Sequence, residues 1–254
     1  YNVAVGLEAG AAVTTGVENT FLGGLAGDAI TTSEGNVAIG YQALTTEDTT
    51  GKATAVGWKA LAQQNAGANS YNVAVGNNAG FSVSTGTGNT FVGGLAGDGT
   101  DDGLNNTAVG YRALSANCTS ENVAVGASAL LVSTAGRNTA VGMGAGDSNT
   151  TGGDNVYIGY DAAAYTNDNT EGASNTIIGA FARTSSATVS NELAIGRFVL
   201  GQGDSTATLG LNGNGATISI DGSDTSWAAH SDERLKDNIT TSTAGLSFIN
   251  DLRP

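Results

Sequence analysis

A short motif, Asn-x-(Ala or Phe)-aliphatic-Gly, recurs along the first 200 residues and constrains the fold more than any other feature of the chain. Most copies keep this form, and Ala53 and Glu192 stand where two copies lack the asparagine. Successive closing glycines are 16 to 20 residues apart, and most steps are 17. The twelve closing glycines are residues 6, 23, 40, 57, 76, 93, 110, 126, 142, 159, 179 and 196. A regular period of this length indicates stacked structural repeats.

A longer period lies above the first. The segment from Tyr1 to Gly6 recurs at Tyr71, and the segment beginning at Asn19 recurs at Asn89, so both are displaced by 70 residues. The pattern indicates duplication of a block of four coils.

The pattern within each repeat favours strands over helices. In Val3-Ala4-Val5 alternate side chains point to opposite faces. Helical periodicity is absent, and a glycine in every coil would cost a helix about 1 kcal/mol relative to alanine. We expect two short strands and a polar return in each coil. Twelve coils stacked as parallel ladders about 4.8 Å apart would form an all-β rod about 58 Å long.

The repeated residues have structural explanations. A repeated glycine suits a corner with positive φ or close backbone approach, and a repeated asparagine can form a hydrogen-bonded ladder. Coils made mostly of Ala and Val have little interior, so one apolar face should stay exposed on a lone chain. Closed symmetric association about the rod axis would cover that face. The repeat alone does not fix the number of chains.

Composition excludes several function classes. The net charge of −14 opposes binding to nucleic acid or to an anionic membrane. No apolar run is long enough to cross a bilayer. Cys118 and His230, the only cysteine and histidine, cannot form an intrachain disulfide or build a metal site together. We expect no cofactor.

The tandem Asn-x-Ala-(Val/Ile)-Gly string resembles the head repeats of trimeric autotransporter adhesins and related phage fibre domains. The resemblance covers about residues 1–200 and implies a homotrimeric parallel β-roll, which is left-handed in that family. The coils here are longer than is usual in such heads, which leaves the handedness and coil shape open.

The segment from Ser231 to Ile239, followed by Gly245 to Pro254, resembles the opening of the peptidase S74 intramolecular chaperone of phage tail spikes and fibres. The resemblance implies a helical trimer that releases itself by cutting between His230 and Ser231. Ser231 would be the nucleophile and Lys236 the general base of this single-turnover autoprotease. Ser231-Asp-Glu also fits a simple helix N-cap. Residues 231–254 are too few for the whole domain, so we expect a truncated chaperone, and a repeat already under way at Tyr1 suggests a longer protein.

Residues 201–230 separate these two zones and form a predicted neck of β-strands. Apolar residues alternate from Ala207 to Leu211 and from Ala216 to Ile220, which predicts hairpin-like or interwoven strands. Asn212-Gly and Asp221-Gly are turn signals.

These features predict a structural and receptor-binding fibre on a phage tail, with other virion tail proteins and a host-surface glycan or protein as partners. The aromatic residues after corner glycines, with Lys59 and Arg112 beside them, could contact the receptor. The same side chains could instead only cover the coil edge. The four aromatic candidates are Tyr41, Trp58, Tyr111 and Tyr160.

Other functions fit the sequence less well. A trimeric adhesin on a bacterial surface would need a membrane anchor in place of the chaperone segment. Ice binding needs a regular threonine array, whereas the paired threonines fall in the returns. Glycan hydrolysis needs two carboxylates facing a groove, and Asp98, Asp101 and Asp102 show no such arrangement; they fit a solvated turn or a weak Ca²⁺ site. We expect no turnover enzyme in the repeats.

Overall fold

A computed structural model describes residues 1–47, 51–164 and 170–222, together with the backbone of residues 228–229. The repeats contribute twelve strands of three residues, one to each coil, and we number the coils by these strands. They are β1 (Val3–Val5), β2 (Thr20–Leu22), β3 (Val37–Ile39), β4 (Thr54–Val56), β5 (Val73–Val75), β6 (Thr90–Val92), β7 (Thr107–Val109), β8 (Val123–Val125), β9 (Thr139–Val141), β10 (Val156–Ile158), β11 (Thr176–Ile178) and β12 (Leu193–Ile195).

The twelve strands form one parallel ladder in the order of the sequence. Each strand pairs in register with the next, as Val3 pairs with Thr20 and Val5 with Leu22. The chain is therefore an all-β parallel β-solenoid of about twelve turns, as the repeat predicted. No helix occurs within residues 1–47, 51–164 and 170–222.

The prediction of two strands per coil was wrong. In coils 1 to 10 the stretch after the corner glycine is a turn, because its second and fourth residues adopt positive φ and curl the chain out of an extended conformation. In coils 11 and 12 only the second residue does so, and the fourth residues, Arg183 and Leu200, form an isolated parallel β-bridge. In coil 3 these residues are Gln42 (φ 55°) and Leu44 (φ 53°), and in coil 4 they are Lys59 (φ 55°) and Leu61 (φ 48°). Hydrogen bonds between coils nevertheless continue through the turn, as from Leu44 N to Ala60 O at 3.0 Å.

The core is a narrow column formed by the middle residue of each strand and the fourth residue after each corner glycine. In coils 2 to 4, 6 to 8 and 10 a large side chain occupies one of the two positions and a small one the other, whereas coils 1, 5 and 9 have alanine in the strand and glycine in the turn. Coils 3, 4, 7 and 8 place alanine in the strand and a fully buried leucine in the turn. Coils 2 and 6 place Phe21 and Phe91 in the strand and Gly27 and Gly97 in the turn, where a Cβ would overlap the ring. A large residue in one coil can also lie beside a neighbouring coil that has none, since a Cβ on Gly80 would contact the Phe91 ring and one on Gly146 the Tyr157 ring.

The repeated asparagines form the ladder that the sequence predicted. The backbone N–H of Asn106 donates to Asn89 Oδ1 at 2.8 Å, and Asn106 Oδ1 accepts from the backbone N–H of Asn122 at 2.9 Å. The side-chain amide of Asn89 donates to Gly103 O in the return of its own coil at 2.8 Å. Asparagines such as Asn89 therefore fasten their strand both to the next coil and to their own return.

An antiparallel hairpin follows coil 12. Strand β13 (Thr206–Leu211) continues the parallel ladder against β12, and β14 (Asn214–Ser219) runs back along β13. Asn212 (φ 52°) and Gly213 (φ 78°) form the two-residue turn that the sequence predicted, with the positive φ angles of a type I′ turn. A short β15 (Ala228–Ala229) pairs antiparallel with β14. The strands of this region are thus a hairpin within one chain that ends the parallel stack.

Candidate functional surfaces

The corner after each β-strand is held by a backbone ladder of its own. In every coil from 2 to 12, the N–H of the second residue after the corner glycine donates to the carbonyl of the first residue in the preceding coil. Gln42 donates to Gly24, Lys59 to Tyr41 and Asn78 to Trp58, at 2.9 to 3.0 Å. The first residues after the corner glycines therefore form a straight column along the rod, which we call the corner column.

All four aromatic residues predicted as receptor contacts lie in the corner column and are exposed. Tyr41, Trp58, Tyr111 and Tyr160 retain between 43 and 57% of their accessible surface. They do not form one continuous stripe, because Asn77 and Gly94 separate the first pair from Tyr111 and further coils separate Tyr111 from Tyr160.

Each aromatic ring also packs against its own rod. A Cβ built on Gly24 would lie 3.5 Å from Cδ2 of Tyr41, and one on Gly94 would lie 3.7 Å from Cδ2 of Tyr111. The ammonium of Lys59 lies 4.7 Å from the centre of the Trp58 ring. Coil packing and exposure thus coexist at these residues.

A second aromatic group near the C-terminal end of the repeats was missed by the sequence reasoning. Phe181 stacks on Phe198 with ring centres 4.7 Å apart, and Tyr160 meets Phe181 edge-on at 5.0 Å. The guanidinium of Arg197 lies 4.5 Å from the centre of the Phe198 ring. Phenylalanine at the second position after Gly179 and Gly196 is the signal that could have identified this stack. Its ring faces contact one another or arginine, so it is mainly a packing element.

The outward face of the parallel ladder is uncharged and mostly apolar over its whole length, with threonine at six of its twenty-four positions. The first and third residues of β1 to β12 point away from the core, and all twenty-four are Val, Thr, Leu or Ile. Val5, Leu22, Val75, Val92, Val109, Val141 and Ile158 are each more than one-third exposed. We call this surface the strand face. A large continuous apolar surface is typical of an interaction site.

The acidic returns do not converge on a metal site. Asp101 accepts a hydrogen bond from Ser84, and its backbone N–H donates to Asn117 Oδ1 at 3.1 Å. Among the residues that the structure describes, no group of three or more His, Cys, Asp or Glu side chains could hold a metal ion.

Glu47, Cys118 and Glu192 are buried ionisable groups in the rod interior. Glu192 occupies the place of a ladder asparagine, where its two carboxylate oxygens accept from Gly203 N at 2.8 Å and Ser185 N at 3.0 Å. Burial raises the pKa of Glu192, although these hydrogen bonds oppose the shift. Burial likewise raises the pKa of the Cys118 thiol, which contacts Thr100 Oγ1 at 3.4 Å. The side chains of Glu192 and Cys118 are both almost fully buried inside their coils.

Ser231, Lys236 and the predicted scissile bond between His230 and Ser231 lie outside the described residues, as does the predicted helical segment at 231–254. Their arrangement stays a prediction. Within the described part of the chain there is no apolar helix of membrane-spanning length.

No protein-family model, curated protein or solved structure matches the chain.

Proposed function

We propose that the chain is a shaft segment of a homotrimeric phage tail fibre or spike that adheres to the host surface. The strand face carries this proposal. A chain of net charge −14 keeps all twenty-four positions of this face free of charge, although the face is open to solvent in a single copy. Identical copies packed about a common axis would bury it.

The solenoid suits a shaft because it is long, narrow and fastened in every coil. The asparagine ladder and the backbone hydrogen bonds of the corner column both run along the axis. Several hydrogen bonds therefore join each coil to the next and share a force applied along the rod. Repeated coils also present corner residues at regular intervals. Several weak contacts can then act together on a multivalent host surface.

The resemblance of residues 231–254 to the S74 chaperone supports assembly followed by self-release. In the proposed reaction, neutral Lys236 takes the hydroxyl proton of Ser231, and the Ser231 oxygen attacks the carbonyl carbon of His230. The peptide C–N bond breaks as its nitrogen takes up the proton from lysine, leaving an ester. Water hydrolyses the ester to a carboxylate on His230 and restores the Ser231 hydroxyl.

Two measurements on the protein from its native particle test the proposal. Sedimentation should give three copies per particle of the isolated fibre, and a folded monomer would overturn the proposal. The intact mass of each chain should correspond to a C-terminus at His230. A chain that continues through Ser231 in the mature particle would remove the self-release step.

A further inference from the structure

One stretch of the corner column, on coils 3 to 5, differs from the rest of the rod in combining exposed aromatic rings, side-chain amides and a cation. The first residues after the three corner glycines form one row, the second residues form a parallel row next to the column, and one further ring lies beside them. We call it the coil 3–5 patch, and its members are Tyr41, Trp58, Asn77, Gln42, Lys59, Asn78 and Phe81.

Hydrogen bonds fix the spacing of the patch. Lys59 N donates to Tyr41 O and Asn78 N donates to Trp58 O, both at 2.9 Å. Three neighbouring coils span about 10 Å at the ladder spacing, which is the length of a disaccharide. Tyr41 and Trp58 are 48 and 43% exposed, so ring surface is available across much of that length.

One polar atom of the patch, the side-chain oxygen of Asn78, is unsatisfied. This oxygen is buried and has no hydrogen-bond partner among the described residues. Lys59 extends from the preceding coil toward Phe81, and its ammonium lies 4.7 Å from the Trp58 ring centre and 6.0 Å from that of Phe81. An unsatisfied buried acceptor is unfavourable, and a hydroxyl donor that reached Asn78 Oδ1 would satisfy it.

We propose that the coil 3–5 patch binds a neutral saccharide. The aromatic rings would stack on the apolar face of a sugar ring, while the amides and Lys59 would bond to its hydroxyls. A polyanionic glycan is disfavoured because Lys59 is the only cation of the patch, on a chain of net charge −14. The inference gives the proposed adhesion a ligand class and rests on that proposal.

The duplicated block supplies a matched control. Coil 7 repeats the tyrosine of coil 3 as Tyr111, but coil 8 has Ala127 and Ser128 where coil 4 has Trp58 and Lys59. Ser128 N donates to Tyr111 O at 2.9 Å, as Lys59 N does to Tyr41 O. The double substitution W58A/K59S therefore installs residues that an equivalent corner already accommodates. Tyr111→Ala removes a similar ring from a corner without the patch.

The experiment measures the fluorescence of Trp58 in a Trp227→Phe background of the full chain, titrated with lactose, cellobiose, N,N′-diacetylchitobiose and 3′-sialyllactose. We expect saturable binding of at least one neutral sugar, and Tyr111→Ala should change its affinity less than twofold. For W58A/K59S, binding followed by calorimetry should be at least tenfold weaker. Binding of no neutral sugar, binding confined to sialyllactose, or unchanged affinity in W58A/K59S would overturn the inference.

Sedimentation of the same proteins separates this inference from the proposed function. If W58A/K59S self-associates as the wild type does, weaker sugar binding is assigned to the patch and not to loss of the fold. A wild-type chain that binds sugar as a monomer would overturn the trimeric fibre and leave the saccharide site standing.

Discussion

The corner glycines show how one residue type sets the spacing of the solenoid. Gly110 has φ of 139°, and a Cβ on it would lie 2.6 Å from the carbonyl carbon and oxygen of Gly126 in the next coil. The site therefore combines a conformation that L-residues rarely adopt with backbone contact that no rotamer change can relieve. The stack can keep its ladder spacing only where this position lacks a side chain.

We predict that Gly110→Ala lowers the free energy of unfolding by about 3 kcal/mol or more, because strain and overlap add. Gly67→Ala is the matched control, since Gly67 also has positive φ (66°) but no atom within 4 Å of the added Cβ. It should cost only about 1 kcal/mol. Denaturant unfolding measures both, and equal losses would show that close approach contributes nothing.

Buried Glu192 makes a prediction about pH. Burial raises the pKa of Glu192 in the folded state. At a pH in the window between the ordinary and the raised pKa, the carboxyl group is therefore protonated in the folded state and ionised in the unfolded state. Its contribution to stability should therefore fall as pH rises through this window and level off above it. The melting temperature of wild type minus that of Glu192→Gln should decrease from about pH 4 to pH 7.

Exposed Glu18 provides the comparison for this pH series. The melting temperature of wild type minus that of Glu18→Gln should change little over the same range. A difference for Glu192→Gln that is constant, or that increases with pH, would contradict the role of burial.

Sequence reasoning reached the repeated residues but not their substitutes. The glycine corners and the asparagine ladder follow from period and residue type alone. At Ala53 the ladder has no amide, and Gln64 in the return accepts from Asn72 Nδ2 at 2.8 Å while donating to Glu47 at 2.9 Å. The role of Gln64 depends on its contact with Asn72, eight residues further along the chain, in a coil of 19 residues. No local sequence pattern specifies this contact.

At the scale of the coil, the turn conformation was the main surprise. Leucine at positive φ costs about 1 to 2 kcal/mol, and propensity therefore argues against it. Leu44, Leu61, Leu114 and Leu130 adopt it and are fully buried. Burying a leucine contributes about 1.5 to 3 kcal/mol, enough to offset the strain. Tertiary packing thus replaced the predicted second strand by a turn.

The exchange of large and small residues between strand and turn predicts a compensating pair. Leu114→Gly alone should cost about 2 to 5 kcal/mol by leaving a cavity, and Ala108→Phe alone about 1 to 3 kcal/mol by overpacking. Together they reproduce the Phe91 and Gly97 arrangement of coil 6. The double variant should therefore lose less stability than either single variant.

Denaturant unfolding of the four proteins of this cycle gives the coupling free energy between the two positions. We expect at least about 2 kcal/mol of favourable coupling, because the phenylalanine ring fills the space left by leucine. Additive losses would mean that the two positions do not share one interior space.

For the whole molecule, the proposed homotrimer requires a surface that would join one copy to another. The strand face runs past every coil without charge, whereas charged side chains lie in the turns and returns. The sequence predicted an exposed apolar face, because alternation in a three-residue strand turns two residues outward for each one inward. It could not predict the number of copies, since that depends on how neighbouring coils fit around the axis.

We predict that V92E/V109E, which places two carboxylates on the strand face, weakens self-association at least tenfold. Each carboxylate would have to leave water at an apolar interface, which strongly opposes association. Q63E/N69D adds the same two charges on the exposed return of coil 4 and should associate as the wild type does. Sedimentation equilibrium over a range of concentrations measures both. Equal weakening by the two variants would indicate general charge repulsion, and no weakening by V92E/V109E would place the contact between copies on another surface of the rod.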